Sequence, residues 1–192
     1  MNGNYLSNAG VFLVDFIFGL YILAVILRFL LQYVRADFYN PLAQAIVTIT
    51  NPPLRPMRKY IPAIRSIDTS SLVLMLILQM IASLLIFLMQ GFSVNPLALA
   101  VLAVGELLTK IVYVFIVAIF VQVIASWIAP GTYNPVLALI DSLTSPLMRP
   151  VRRLIPPMGG LDLSPMVAIM LLYLSLMLIV QPIKDLGRTL AV

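Results

Sequence analysis

Four long, mostly apolar runs limit what this chain can become: Val11 to Val34, Leu72 to Met89, Glu106 to Ile128 and Met166 to Ile183. As a helix, each is long enough to cross about 30 Å of hydrocarbon, and none has the short alternating pattern of a membrane barrel strand. The rest of the chain cannot wrap them in a polar shell, because 62% of the 192 residues are hydrophobic and only 10% are charged. A soluble domain is about 45 to 50% apolar. The pattern predicts an all-α membrane protein with four transmembrane helices and excludes an ordinary cytosolic enzyme. Cys and His are both absent, which removes disulfides, thiol chemistry, Cys/His zinc sites and the Ser-His and Cys-His nucleophiles. The remaining Asp, Glu, Lys and Arg form no convergent constellation, so no catalytic residue, metal or cofactor is expected. The opening MNGNYLSNAG has no Lys or Arg. The first run therefore lacks the basic region of a cleaved signal peptide and is expected to stay in the mature protein.

The net charge of +5 is unevenly placed. Of the 12 Lys and Arg, eight lie in two connections: Arg35, Arg55, Arg58, Lys59 and Arg65 after the first run, and Arg149, Arg152 and Arg153 after the third. The positive-inside rule makes both connections cytoplasmic and puts the termini and the middle connection outside, in a multi-pass bacterial inner membrane protein. Lys184 and Arg188, beside Asp185, argue mildly the other way. Basic stripes next to membrane spans point to anionic lipid and not to nucleic acid.

Sliding the chain over itself by ninety-four residues superposes Tyr39-Asn40-Pro41 on Tyr133-Asn134-Pro135. The same shift matches Thr50, Pro52, Arg55, Pro56, Arg58, Ile61, Pro62, Asp68 and Ser70 with Thr144, Pro146, Arg149, Pro150, Arg152, Ile155, Pro156, Asp162 and Ser164, and Ile46 with Ile140. That makes thirteen identities in thirty-two gapless positions. The chain reads as a single membrane domain over 1–192 built from two like-oriented helix-loop-helix repeats, about 11–89 and 105–183, joined by an apolar linker over 90–104.

Within each loop, Asn40-Pro41 and Asn134-Pro135 read as a helix cap followed by proline in the first turn. Thr50-Asn51-Pro52 and Thr144-Ser145-Pro146 look like a second start. After it, Leu54, Met57 and Ile61, and Met148, Val151 and Ile155, make an apolar stripe. Arg55, Arg58, Lys59, Arg149, Arg152 and Arg153 lie off that stripe, as in an interfacial amphipathic helix whose cations meet anionic headgroups of the inner leaflet or a cytoplasmic or membrane protein partner. Pro62 and Pro156 stop these helices, and Ser164-Pro165 caps the last span.

Polar residues also fall inside the spans. Asp15 and Lys110 sit at nearly equivalent depth in the first and third and could pair across the repeat axis, while Glu106 is spaced to pair with Lys110 one turn on. Arg28 with Gln122, and Gln32 with Ser126, are equivalent pairs suited to hydrogen bonds between spans. From Pro96 to Ile128 one helix would run about 50 Å, too long for a bilayer, so a break is expected near Gly105 with Leu97 to Val104 at the outer face.

The repeated pattern of Asn-Pro, Thr-x-Pro-x-x-Arg-Pro-x-Arg and Ile-Pro, ending in Gly159-Gly160-Leu161-Asp162-Leu163-Ser164-Pro165, resembles the YggT (YlmG) family of small bacterial integral membrane proteins in its two-copy proteobacterial form. The first copy departs from it, with Arg65-Ser66-Ile67-Asp68-Thr69-Ser70-Ser71 in place of the glycines and Ser-Pro. The resemblance implies a non-enzymatic role: organising or assisting the assembly of membrane or envelope components, or a part in ion transport and tolerance of osmotic stress. A pore would need a homo-oligomer, and no selectivity-filter sequence is present.

Overall fold

The computed structural model describes residues 5–65, 67–128, 134–155 and 162–191. The expectations on Tyr133, Pro156 and Gly159-Gly160-Leu161 lie outside these residues. The described chain is all-α: α1 (Tyr5–Tyr33), α2 (Pro41–Tyr60), α3 (Thr69–Met89), α4 (Pro96–Ile128), α5 (Pro135–Leu154), α6 (Ser164–Ser175) and α7 (Gln181–Ala191), with one π-helical turn, Leu176–Val180, joining the last two. Four helices are long and apolar enough to cross a membrane: Tyr5–Tyr33, Thr69–Met89, Pro96–Ile128 and the composite Ser164–Ala191.

The core lies toward the α2 and α5 ends of the spans. Ile22, Val25, Ile26 and Leu30 of α1 pack with Leu74 and Met75 of α3, Ala118 of α4, Leu54 of α2 and Leu143 of α5. A second cluster joins Ile119 to Met148, Val151, Ala168 and Leu172. Helices in lipid gain nothing from hydrophobic transfer when they associate, so shape and small residues decide the packing.

Each basic connection is one continuous helix and not two short ones. Asn40 and Asn134 cap α2 and α5 by accepting from the backbone N–H of Leu42 at 3.0 Å and of Val136 at 2.8 Å. Prolines then fall inside both helices, Pro52, Pro53 and Pro56 in the first and Pro146 and Pro150 in the second. A proline removes the donor to the carbonyl four residues back. Pro53 leaves the Ile49 carbonyl without its helical donor, and the Tyr21 hydroxyl of α1 donates to that oxygen at 3.3 Å. Ninety-four residues on, Leu147 keeps its N–H, and the residue matching Tyr21 is Phe115, which has no hydroxyl. A side chain donor is present in the half where the backbone donor is missing.

The expected break near Gly105 does not occur: α4 runs unbroken for 33 residues. The fourth span is also longer than its apolar run, because helix resumes beyond the π turn as α7. The π turn widens the backbone two residues before Pro182, whose missing N–H would otherwise interrupt regular α-helix. α7 lies along the early part of α4, its most extensive helix partner. A Cβ on Gly105 would come within 2.6 Å of Lys184 Cγ, and one on Gly187 within 2.7 Å of Leu102 Cγ. The excess length of α4 is therefore covered by a helical neighbour and does not need to bend away.

Candidate functional site

Two regions concentrate polar chemistry, one at each end of the bundle. At the first, α2 and α5 meet the starts of the following spans. Arg58 forms an ion pair with Asp68, which is only 3% exposed and also accepts from Ser71 Oγ at 2.8 Å. Arg152 Nε pairs with Asp162 at 3.2 Å. Ser70 Oγ donates to the Ile61 carbonyl, and Ser164 Oγ to the Ile155 carbonyl, each at 3.0 Å. Residues ninety-four apart thus make the same contacts: an arginine near the C-terminus of the loop helix and a serine at the next helix tie the end of one helix to the start of the next. The Ser164 backbone N–H donates to Asp162 Oδ1 at 2.9 Å, and Pro165 occupies the first turn of α6.

The other cations stay outward. Arg55, Lys59, Arg149 and Arg153 are exposed and form no ion pair among the described residues, whereas Leu54 and Met148 on the opposite face are fully buried. Arg58, Lys59, Arg152 and Arg153 occupy the last turns of their helices, where cations oppose the negative end of the helix dipole.

Burial alone would push the Asp68 carboxyl up, but hydrogen bonds from Arg58 and Ser71, with the Arg58 charge, outweigh it and hold the group below the usual carboxylate range. At Asp162, burial again pushes up and is outweighed by hydrogen bonds from Ser164 and by Arg152. A carboxyl depressed on folding adds stability above its unfolded value of about 3.9, and that stability is lost as pH falls through the folded value. Asp68→Asn should therefore cost about 2 kcal/mol at pH 7. The difference from wild type should shrink as pH falls below about 3.9, where the unfolded carboxyl protonates, and be lost once pH passes below the depressed folded value. Asp162→Asn, at an exposed pair, should cost no more than about 1 kcal/mol. Unfolding of the detergent-solubilised protein across that range reads both, and a difference that grows toward acid would contradict the assignment.

A different contact sets the angle between α1 and α2. Arg28 is only 4% exposed, and its Nη1 donates to the Val47 carbonyl at 3.1 Å, Thr50 Oγ1 at 2.8 Å and Asn51 Oδ1 at 2.9 Å. Its counterpart Gln122 donates from Nε2 to Asp141 Oδ1 at 2.9 Å and accepts from Thr144 Oγ1 at 3.1 Å. Arg28 and Gln122 each hold their own loop helix and do not bond one another, correcting the expected bond between spans. Ser126 likewise donates to its own helix, at the Val123 carbonyl, and not to Gln32. The sequence marks Arg28 and Gln122 as polar and equivalent, but their partners lie about twenty positions further along, on the loop helices.

At the other end, a cavity of about 390 Å³ is lined by Asp15, Gln79, Ser83, Glu106, Lys110, Lys184 and Arg188 among apolar neighbours. Asp15 and Lys110, the pair suggested by their depth, both reach this space but form no ion pair with each other. Glu106 pairs with Lys184 Nζ at 2.9 Å and not with Lys110. Docking of α7 brings Lys184 to Glu106, which spacing along α4 alone does not reveal. Arg188 pairs with Asp185 at 2.9 Å. Gln79 is 5% exposed; its Nε2 donates to Ser83 Oγ at 3.2 Å, and its Oε1 meets no donor among the described residues. Among those residues, no three carboxylates cluster as metal ligands.

No solved structure matches the chain. A protein of Pseudomonas aeruginosa described as uncharacterized is 43% identical over 181 residues, covering 92% of this chain and 90% of that one. The Escherichia coli protein YggT, also described as uncharacterized, is 35% identical over 187 residues and 95% of both chains. A Haemophilus influenzae relative is 38% identical over 156 residues, 81% of this chain and 83% of its own. The sequence model of the CCB3/YggT family matches residues 7–89 and again residues 101–183. Four apolar helices, coverage of most of the chain and these relatives lead to one assignment: the chain belongs to the CCB3/YggT family of membrane proteins.

Proposed function

We propose that this protein is a non-enzymatic, multi-pass inner-membrane factor that organises or assists assembly of membrane or envelope components through α2 and α5. On this reading the chain is two copies of one hairpin, each carrying a half-apolar helix that lies on the cytoplasmic leaflet. The observation that carries it is the division of labour among the cations. Arg58 and Arg152 are committed to Asp68 and Asp162, which holds each helix against the next span. Arg55, Lys59, Arg149 and Arg153 are left to meet anionic lipid headgroups or an acidic cytoplasmic partner. Two matched stretches of the family and the paired Ser70 and Ser164 contacts support the two-hairpin reading.

Four cations near an anionic surface, at about 1 kcal/mol each, give strong but unselective attraction. Reversing all four to Glu should at least halve the phosphatidylglycerol that copurifies with the protein, relative to phosphatidylethanolamine, while leaving helical content unchanged. Unaltered phosphatidylglycerol would remove α2 and α5 from lipid contact. Cross-linking from Lys59 and Arg153 in cells then decides between lipid and a protein partner.

A second reading, a component of ion transport or of the osmotic stress response, is favoured by the polar cavity between the spans. It predicts ion flux in proteoliposomes that Asp15→Asn abolishes. Absence of flux in the wild-type protein would dismiss it.

A further inference from the structure

Lys110 stands at the head of an apolar trough and shares the adjoining polar cavity with Asp15. On α1, Asp15 continues the stripe formed by Gly19, Leu23 and Leu27 at four-residue spacing, and on α4 Lys110 continues that of Val114, Val117 and Val121. Between the lower parts of these stripes lies a cavity of about 490 Å³, lined almost wholly by carbon and closed toward the basic helices by Leu42, Val136 and Ile140. Lys110 borders both this trough and the polar cavity that holds Asp15 and Gln79. A Cβ added to Gly19 would meet nothing within 4 Å, so the trough is open space between the two spans.

The polar cavity that adjoins the trough at Lys110 offers three unspent groups. Lys110 and Asp15 form no ion pair among the described residues, while Glu106 and Arg188 are already paired. Gln79 Oε1 is buried and has no donor among those residues. The buried Gln79 carbonyl carries a penalty unless a donor answers it, and Asp15, which is exposed, and the half-buried Lys110 lie within the spans, where an unanswered charge is costly in lipid. The complementary ligand has an anionic oxygen for the Lys110 ammonium, N–H donors for the Asp15 carboxylate and the Gln79 carbonyl, and a hydrocarbon chain attached to both.

We propose that this protein binds a phospholipid with a primary-amine headgroup between α1 and α4, its phosphate on Lys110, its ammonium on Asp15 and Gln79, and one acyl chain in the trough. An anionic headgroup such as phosphatidylglycerol can offer hydroxyl donors but no positive charge to answer the Asp15 carboxylate. A trimethylated amine has no N–H to donate to either. A free zwitterion leaves the apolar trough unfilled. The site is at the opposite end of the spans from the cations of α2 and α5, and it stands whether or not those helices contact lipid.

The test uses the full-length protein in nanodiscs containing equal parts phosphatidylethanolamine, phosphatidylcholine and phosphatidylglycerol, extracted in mild detergent, with retained lipid counted by native mass spectrometry. Wild type should retain phosphatidylethanolamine over phosphatidylcholine by about tenfold, the worth of a charge-assisted hydrogen bond. Asp15→Asn should reduce that preference toward unity, and Lys110→Gln should lower retention of both lipids. Gly19→Leu leaves every polar group in place, fills the open trough and should lose the lipid with the fold unchanged by circular dichroism. Equal retention of the two zwitterionic lipids by wild type would overturn the proposal. So would full retention in Gly19→Leu, or displacement by phosphoethanolamine, which has the headgroup and no chains. Should Asp15→Asn fail to fold, the wild-type preference and Gly19→Leu decide the matter.

Discussion

Substituting Arg28 with alanine is expected to lower the unfolding free energy by about 3 kcal/mol. The side chain is buried, and a single Nη1 serves the Val47 carbonyl, Thr50 Oγ1 and Asn51 Oδ1. Thr50 keeps its own bond to the Ile46 carbonyl at 2.6 Å when the guanidinium is removed, but the Val47 and Asn51 acceptors lose a charged donor. The Val47 carbonyl keeps Thr50 Oγ1 at 3.4 Å, so Asn51 Oδ1 is the acceptor left stranded, at a cost of about 1 to 3 kcal/mol. The second half of the chain shows how the contact can be made without a charge, since Gln122 bonds Asp141 and Thr144 at the matching positions. Arg28→Gln combined with Val47→Asp should rebuild that arrangement and return stability to within about 1 kcal/mol of wild type, whereas Arg28→Gln alone should fall between. Reversible unfolding in mixed micelles measures all three. Wild-type stability in Arg28→Ala, or a double variant no better than it, would show that the clamp does not hold α2.

The features legible in the residues are those that depend on near neighbours. Four spans follow from run length, and the starts of α2 and α5 from Asn40-Pro41 and Asn134-Pro135, because cap and first turn are adjacent in the chain. The start of α6 is marked by Ser164-Pro165 as well, but the expected serine cap does not form: Leu163 is the cap residue, Ser164 is already helical, and its Oγ bonds the Ile155 carbonyl. The outward placement of Arg55, Lys59, Arg149 and Arg153 was readable from helical spacing against Leu54 and Met148. What could not be read depends on contacts between distant segments. Local rules place a second helix start at Thr50-Asn51-Pro52, but Tyr21, on another helix, supplies a donor that those rules leave missing. The turn between α2 and α3 hides the Arg58 and Asp68 pair in the same manner. Asp15 and Lys110 stand out as polar residues within spans but form no pair, and the pairing of Glu106 depends on Lys184, which is brought in only by the docking of α7. The apolar count ended the fourth span near Ile183, and nothing local announces that a short, strongly amphipathic helix resumes after a π turn.

That docking makes the second large prediction. Gly187 is buried against α4, and a Cβ there would lie 2.7 Å from Leu102 Cγ, 2.8 Å from its Cδ2 and 3.1 Å from its backbone nitrogen. A leucine rotamer can yield to the first two, but the third is backbone, so a β-branched residue forces the helices apart. Gly187→Val should therefore destabilise the protein by about 3 kcal/mol. It should also break the Glu106 and Lys184 pair, because α7 cannot keep Lys184 in reach once it moves. Gly105 differs in a way that tests the argument. Its added Cβ would meet Lys184 Cγ at 2.6 Å, but the nearest backbone atom is Lys184 Cα at 3.7 Å, an ordinary contact. Gly105→Ala should then cost about 1 kcal/mol, through a shifted lysine and a weakened ion pair, offset in part by the better helix propensity of alanine over glycine. Proteolysis of the solubilised protein separates the two outcomes. Gly187→Val should expose the chain after Gln181 to cleavage while leaving the earlier helices intact, and Gly105→Ala should not. Equal protection of α7 in both variants would mean that close backbone approach is not what seats it on α4.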